Sequence, residues 1–323
     1  MNGGKERDSG NDSLVDISEI ACQDQQQNAV SSPDRSPASR AIIVHPQFKD
    51  RHPIYNLLST KQLERRRRIS VPGFPIPFDI HQNFVASDQD LGSIAWSGGI
   101  AAAAYLGEYA SARWQRDPTN TTKPWGQETL LELGCGTAAL VSQCAALCGY
   151  NVVMTDLPHV LEWACNNAKQ NSSFQWAGHP RLQESLYKSK PGSVSPLLSA
   201  KPLRWGETSD LPSEEFDMVV VADCLYAMRE DNGSDSLMDK LLLTLRGLLA
   251  NDRTKLLVSY QNRTGQERKF VHETLPFAFP DYVVEKIHPA RAISDLVHAM
   301  AWVLPKREAS TDGKVEKSNR QGA

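Results

Sequence analysis

Short apolar segments alternate with helical patterns along most of this chain, and this alternation restricts the folds that it can adopt. The strongest segment, 216–222, contains five consecutive apolar residues from Met218 to Ala222. A strand that is apolar on both faces is typical of a parallel sheet with helices on both sides. Parallel neighbours also need crossover connections, which the intervening helices provide. We therefore predict an α/β fold with a doubly wound, mostly parallel seven-stranded sheet.

The individual elements follow from the apolar periodicity. Strands are predicted at 129–133, 151–156, 200–205, 216–222, 254–261, 282–287 and 298–304. Helices are predicted at 99–113, at 138–148, from Pro158 onward, from Leu237 to Leu248 and at 266–275. The link at 206–215 is short for a complete crossover helix. The last two strands follow each other without a helix, so we expect them to form a terminal pair.

The two ends of the chain differ in composition from the region between them. Residues 1–40 contain no aromatic residue, so they bury too little apolar surface to offset the entropy cost of ordering. We predict a disordered to partly ordered N-terminal arm at 1–75 and a single domain at 76–305. A surface insertion is expected at 172–196 and a disordered tail at 306–323. The four arginines at 65–68 are consistent with a solvated helix end, with a nuclear-import patch or with a basophilic kinase site at Ser70.

Composition and charge argue against several classes of partner. The apolar segments fall far short of the roughly 18 residues that span a bilayer, and the first 20 residues do not resemble a secretory signal. We therefore expect no membrane partner and a cytoplasmic location, with the nucleus open through residues 65–68. The net charge of -3 gives no general attraction to nucleic acid. The six cysteines form no C-x-x-C pair, so we expect free thiols and no metal site.

A glycine-rich turn follows the first predicted strand of the domain. Gly134 and Gly136 allow the backbone to turn tightly and to approach a ligand without a Cβ atom in the way. Two ligand classes compete for this pattern. A dinucleotide site requires G-x-G-x-x-G/A and an acidic residue about 20 positions later, and Gly134, Gly136, Ala139 and Asp156 satisfy that spacing.

Three features favour S-adenosylmethionine over a dinucleotide. Glu132 lies two positions before Gly134, where its carboxylate would repel a pyrophosphate but attract the cationic methionine moiety. The glycine pattern begins near residue 130, after a long helix, whereas a dinucleotide domain usually opens with its first strand. The third feature is the terminal pair of strands joined by a short loop. The predicted cofactor is therefore the methyl donor.

Further candidate residues follow the ends of the other predicted strands, which meet at the ligand-binding edge of a parallel sheet. Asp156 suits the two ribose hydroxyls of an adenosine, and Trp205 offers an indole on which adenine stacks. Trp96 faces the same opening from the start of the first helix. Asp223 and Tyr226 place an acid and a phenol three positions apart after the strongest strand. The chain lacks the Asn-Pro-Pro-Tyr and Asp-Pro-Pro-Tyr motifs of many nucleobase methylators, so nucleic acid is a disfavoured partner.

In this order and spacing, the segments 132–137, 156–157, 203–207, 222–226 and 259–263 resemble the seven-strand methyltransferases of family 16. Within that family the chain is most similar to the small non-histone protein-lysine methyltransferases, the group of the valosin-containing-protein lysine methyltransferase. The resemblance covers about residues 80–305. It differs at Ala138, where the family usually has glycine, and at Ser97, where it has aspartate or proline. The donor-binding residues that it implies, together with Glu132 above, are Trp96, Gly134, Cys135, Gly136, Asp156, Trp205 and Ala222.

The resemblance also implies a reaction, in which a methyl group passes from S-adenosylmethionine to a lysine side chain of a non-histone protein. Asp223 would orient the acceptor amine, and Tyr226 would supply an aromatic wall that tolerates positive charge. The expected partner is thus a protein substrate. Two alternatives stay open at this point: a methyltransferase for a small molecule or a protein histidine, and a catalytically silent scaffold that binds the donor.

Overall fold

The computed structural model of this protein describes residues 15–16, 64–82, 91–116, 127–175, 198–225, 236–263, 265–288 and 299–306. Its strands are β1 (Val15–Asp16), β2 (Arg66–Ile69), β3 (Phe78–His81), β4 (Thr129–Leu133), β5 (Asn151–Asp156), β6 (Leu198–Pro202), β7 (Met218–Ala222), β8 (Lys255–Tyr260), β9 (Tyr282–Ile287) and β10 (Ala299–Pro305). Its helices are α1 (Ser97–Arg116), α2 (Leu140–Leu147), α3 (Pro158–Gln175), α4 (Leu237–Leu248), α5 (Gln266–Lys269) and α6 (Leu275–Ala278). A π-helical turn, Phe270–Thr274, joins α5 to α6.

The main sheet has the strand order β1-β6-β5-β4-β7-β8-β10-β9. The five strands from β6 to β8 in this order run parallel, whereas β10 pairs antiparallel with both β8 and β9. The predicted doubly wound, mostly parallel sheet is therefore confirmed. The short strand β1 adds an eighth member, antiparallel to β6. The chain winds outward from β4 to β6 and then returns to β7, so ligands are expected at the carboxyl ends of β4 and β7.

Strand β7 explains why the sheet must be covered on both faces. Met218 and Val220 pack with α1 and α2 in one apolar cluster, whereas Val219 and Val221 pack with α4 in the other. All four of these side chains are buried. Alternate residues of a strand point to opposite faces, so an unbroken apolar segment needs a core on each side.

The link between β6 and β7 differs in detail from the sequence prediction. The predicted strand at 200–205 lies at Leu198–Pro202 instead. Leu203 still donates its N–H to the carbonyl of Asp156, at 3.0 Å, but the chain then leaves the sheet and turns at Trp205. One 3-10 turn, Thr208–Asp210, stands where a crossover helix would be, as the short link predicts.

The arginine-rich segment forms a strand, so the expected helix end at 65–68 is wrong. β2 pairs antiparallel with β3, which brings Arg66 opposite His81. Alternation along the strand divides the charges between the two faces, because Arg66 is exposed whereas Arg67 is partly buried. Ile69 packs into the core between the sheet and α1. Part of the predicted N-terminal arm, β2, is thus ordered and packs against the domain.

Two asparagines of α3 hold this hairpin against the domain. Asn171 exchanges hydrogen bonds with the backbone N–H and carbonyl of Asp79, at 2.9 and 3.1 Å. Asn167 does the same with His81, at 2.8 and 2.9 Å. Residues four apart share a helix face, and residues two apart share a strand edge. The side-chain amides therefore form hydrogen bonds with the backbone N–H and carbonyl groups of β3, as a neighbouring strand would.

Several predictions fall partly outside the described residues. These are most of the N-terminal arm, the insertion from residue 176 onward and the tail from residue 307 onward. The predicted helix at 266–275 is observed as α5, the π-helical turn and α6, and it ends at Ala278. None of the helices in the described ranges is both long and apolar enough to cross a bilayer.

Candidate active site

A cavity of about 390 Å³ opens at the carboxyl ends of β4, β5 and β7, where the winding of the sheet reverses. This volume lies in the usual range for small-molecule sites. The sequence-predicted donor residues all line it: Trp96, Glu132, Gly134, Cys135, Gly136, Asp156, Trp205 and Ala222. Asp223 also lines the cavity. Tyr226 lies outside the described residues, so its predicted position next to Asp223 is not tested.

The two glycines after β4 adopt a backbone conformation that other residues rarely adopt, and their surroundings leave no room for a Cβ atom. Gly134 has a φ of 69° and Gly136 a φ of 60°, both in the left-handed region. A Cβ atom on Gly134 would lie 2.7 Å from Cys224 Sγ and 3.0 Å from the Trp205 ring. A Cβ atom on Gly136 would lie 3.0 Å from the Gly92 carbonyl oxygen. Glycine at both positions keeps this wall of the cavity open.

The departure from the family at Ala138 is accommodated by the backbone. Ala138 is not among the non-glycine residues with positive φ, whereas the next residue, Ala139, has a φ of 43°. Ala139 is fully buried and precedes α2. The alanine at 138 therefore introduces no left-handed strain into the turn.

Glu132 lies on β4 beneath the glycine turn. Its carboxylate accepts hydrogen bonds from both the N–H and the hydroxyl of Ser142 on α2. Burial raises the pKa of Glu132 to about 8, although these hydrogen bonds favour the charged form. A carboxyl group with that pKa gains from a cationic ligand, because a nearby positive charge stabilises its ionised form.

Asp156 ends β5 next to the same turn. One carboxylate oxygen accepts the N–H of Gly136 at 2.8 Å, and the other accepts the N–H of Leu157 at 2.7 Å. The carbonyl of Thr155 accepts the N–H groups of both Gly134 and Cys135, each at 3.0 Å. The end of β5 thus fixes the path of the glycine turn, and it presents an acid at the cavity.

Asp223, which is predicted to orient the acceptor amine, is itself held by three donors of the protein. Its side chain is completely buried and accepts the N–H of Gly98 at 2.6 Å and the N–H of Gln261 at 3.2 Å. It also pairs with the Arg263 guanidinium at 3.2 Å. Burial raises the pKa of Asp223, while Arg263 and the N–H donors act in the opposite direction. The carboxylate therefore joins the end of β7 to α1 and to the segment after β8, and its predicted contact with the acceptor amine stays a prediction.

Arg263 ends the segment 259–263 that carries the family resemblance, but it was not among the predicted site residues. Its guanidinium lies 5.1 Å from the ring centroid of Trp96, which lines the cavity. The same guanidinium donates to Gln261 Oε1 at 2.9 Å. Arg263 thus connects the buried Asp223 to the Trp96 ring through one ion pair and one cation–π contact. An arginine just after the end of an apolar strand was the available signal.

The hairpin β2–β3 holds the segment that contains Trp96. Arg67 donates to the carbonyl of Ala95 at 2.7 Å, and the Gln82 side chain accepts the N–H of Ala95 at 2.7 Å. Thr137, in the glycine turn, donates its N–H to the carbonyl of Gly92 at 2.7 Å. Hydrogen bonds therefore connect residues 92–96 to the hairpin at Ala95 and to the glycine turn at Gly92.

The cavity also contains side chains from α3 and α4 and from the turn after β6, which sequence reasoning missed. His159, Arg204, Leu237 and Lys240 all line it. Helical periodicity predicts which face of a helix is apolar, but not which residues reach the sheet edge. Among the described residues, no group of His, Cys, Asp or Glu side chains is arranged to hold a metal ion. The five described cysteines are free thiols.

Comparison with known proteins shows to which family this site belongs. A family described as lysine methyltransferase matches residues 77–275. Protein-lysine methyltransferase METTL21E of Mus musculus is 25% identical over 207 residues, which cover 62% of this chain and 70% of the relative. Protein N-lysine methyltransferase METTL21A of Danio rerio is 30% identical over 145 residues, covering 45% of this chain and 54% of the relative.

The SAM-dependent methyltransferase from Agrobacterium tumefaciens is a similar solved structure, with a TM-score of 0.42 and 15% identity. The match covers 76% of this chain and 72% of that one. The family match includes β3 to β8 and more than half of the chain. The predicted membership is thus confirmed at the level of the family, while similarity to the valosin-containing-protein group stays a prediction. This chain belongs to the lysine methyltransferase family.

Proposed function

We propose that this protein transfers a methyl group from S-adenosylmethionine to a lysine side chain of a non-histone protein. The observation that carries this function is the cavity at the switch point of the sheet, where the buried Glu132 carboxyl lies beneath two glycines. Family membership supports lysine as the acceptor. Relatives named as protein-lysine methyltransferases support a protein substrate.

The residues of the cavity fit the methyl donor part by part. Glu132 offers a buried carboxyl for the methionine ammonium, and Asp156 offers a carboxylate at the strand end for the ribose hydroxyls. Trp205, whose ring stands 3.0 Å from the place that a Cβ atom of Gly134 would take, offers a flat apolar surface for adenine. A bulkier residue than glycine at 134 would fill this cradle. When bound, S-adenosylmethionine supplies an electrophilic methyl group on a cationic sulfur.

The acceptor must lose a proton before it can react. A lysine with a pKa of about 10.4 is protonated at pH 7, and neutralising it costs about 4.6 kcal/mol, from roughly 3.4 units at about 1.36 kcal/mol each. A partly dehydrated channel and a nearby positive charge both lower that pKa. In the donor-bound protein the positive sulfonium would be such a charge, because the charge of Arg263 beside Trp96 is balanced by Asp223. Asp223 acts here as a positioning residue, and Tyr226 is proposed to form the aromatic wall.

The decisive experiment identifies the methylated residue. The purified chain is incubated with methyl-labelled S-adenosylmethionine and a cell lysate, and labelled products are analysed by mass spectrometry. Labelled methyl-lysine in a protein is expected. If the label is found in methyl-histidine or in a small molecule instead, the acceptor is not lysine. If calorimetry detects donor binding but no product is labelled, the chain is a silent scaffold and the proposed activity is wrong.

A further inference from the structure

A second cavity, of about 560 Å³, lies at the same edge of the sheet as the first. Tyr260 ends β8 and pairs with Ala299 of β10, so this cavity is at the carboxyl end of β8. None of its residues lines the first cavity. The lining consists of Tyr260, Asn262, Arg268, His272, Lys286 and Ala299.

Three basic side chains converge on this second cavity. Arg268 and His272 are four residues apart on α5 and the π-helical turn, and Lys286 comes from β9. Burial lowers the pKa of His272, and the charges of Arg268 and Lys286 lower it further. Within the described ranges, neither Arg268 nor Lys286 forms a salt bridge, whereas three other arginines each pair with an aspartate. Among the described residues that line this cavity, three are basic and none is acidic.

The segment after β8 connects the two cavities. Gln261 and Arg263 both bond to Asp223, in the wall of the first cavity. The alternate residues Tyr260 and Asn262 line the second cavity. A substrate whose lysine enters beside Asp223 would therefore extend along this segment toward the basic side chains of the second cavity. A negative group on the same substrate, placed in the second cavity, would be attracted by those side chains.

We propose that the second cavity binds a carboxylate side chain, Asp or Glu, that flanks the acceptor lysine in the protein substrate. This preference rests on the proposed function and specifies its class of substrate, an acidic sequence around the lysine. Arginine binds carboxylates well because its guanidinium donates two parallel hydrogen bonds. A nucleic acid fits less well, because such partners are typically held by roughly 6–10 phosphate contacts. Besides His272, this cavity contains only two basic side chains among its described lining residues, Arg268 and Lys286.

Synthetic peptides with one lysine test this preference. Each peptide carries a single glutamate at one position on either side of the lysine, and its matched control carries glutamine there. Methyl transfer from labelled S-adenosylmethionine gives kcat/KM, and fluorescence anisotropy gives binding without turnover. The full-length chain is compared with the double variant Arg268→Gln/Lys286→Gln. The matched control is Lys269→Gln, because Lys269 is exposed on α5 but does not line the cavity.

For the unmodified chain, one glutamate position should raise kcat/KM about tenfold over its glutamine control, mainly through KM. The double variant should lose that preference, while the Lys269→Gln chain should keep it. Equal use of both peptides by the unmodified chain, or a preference that survives in the double variant, would overturn the carboxylate site. Tighter binding of a short oligonucleotide, lost in the double variant, would overturn it too. Glutamate-dependent binding without any methyl transfer would support the site and contradict the proposed lysine methyltransferase activity.

Discussion

Replacing Gly134 with alanine separates backbone strain from obstruction of the cavity. A non-glycine residue in the left-handed region costs about 1–2 kcal/mol. The new Cβ atom would also lie 2.7 Å from Cys224 Sγ and 3.0 Å from the Trp205 ring. Both distances are shorter than the roughly 3.5–4.0 Å of an ordinary nonbonded contact. Cys224 or Trp205 must therefore move, and Trp205 is the surface proposed for adenine.

The matched control is Gly73→Ala in the turn between β2 and β3. Gly73 has a φ of 86°, and a Cβ atom built there has no neighbour within 4 Å. Gly73→Ala should lose about 1–2 kcal/mol of unfolding free energy in urea denaturation, and Gly134→Ala should lose more, because a buried neighbour must also move. Only Gly134→Ala should also weaken S-adenosylmethionine binding, by tenfold or more, which is about 1.4 kcal/mol in calorimetry.

A second substitution tests the cause of the lost affinity. Cys224→Ala, added to Gly134→Ala, removes the 2.7 Å contact but leaves the contact with Trp205. Donor affinity should therefore recover in part. If the Gly134→Ala chain binds the donor as tightly as the Gly73→Ala chain, the glycine turn does not form the donor cradle and the assignment of the cavity is refuted.

Three further predictions concern Glu132, the buried ion pair and the hairpin. The folded pKa of Glu132, about 8, exceeds its ordinary value of 4.5, so its contribution to stability is complete below pH 4.5 and is lost as the pH rises through 8. Urea denaturation should give a lower unfolding free energy at pH 8 than at pH 6, and Glu132→Gln should abolish this difference. If the Glu132→Gln chain shows the same dependence of unfolding free energy on pH, the assignment to Glu132 is contradicted. Arg263→Met should cost about 3–5 kcal/mol because it leaves the Asp223 charge buried and unpaired, and adding Asp223→Asn should restore part of this loss; strictly additive losses in thermal unfolding would contradict the ion pair. Gln82→Ala should cost about 1–3 kcal/mol and weaken donor binding, because it removes the partner of the Ala95 N–H. Arg66→Ala, which breaks an exposed pair, should change stability by less than about 1 kcal/mol, and an equal loss in both variants would rule out the proposed support of residues 92–96.

The sequence predicted those parts of the fold that depend on local patterns. The bounds of β4, β5 and β9 agree with the predicted strands to the residue. Their apolar residues recur with strand periodicity, and turn residues border them. The glycine turn after β4 could also be predicted from the sequence, because glycine adopts φ values near 60–69° without steric cost.

The same local patterns were misleading where a distant partner decides the structure. Four consecutive arginines indicate a solvated surface, yet Arg67 bonds to Ala95, which is 28 positions away in the sequence. The ends of the strand β6 were misplaced because the chain turns away at Trp205, where the N–H of Gly206 donates to Thr244 of α4 at 2.9 Å. In both cases the hydrogen bond joins segments that are too far apart in the sequence for a local pattern to include both.

By itself, the sequence determined the fold class, the family and the strand-end and glycine residues that line the first cavity, because strand ends and glycines are encoded in neighbouring positions. Only the tertiary structure decided what Asp223 does. Its three donors lie on Gly98, Gln261 and Arg263, which are 125, 38 and 40 positions away. The tertiary structure likewise brought Arg268, His272 and Lys286 to one cavity. Residues so far apart in the sequence come into contact only when the strands take their order in the sheet. The spacing of residues along the chain does not show what that order is.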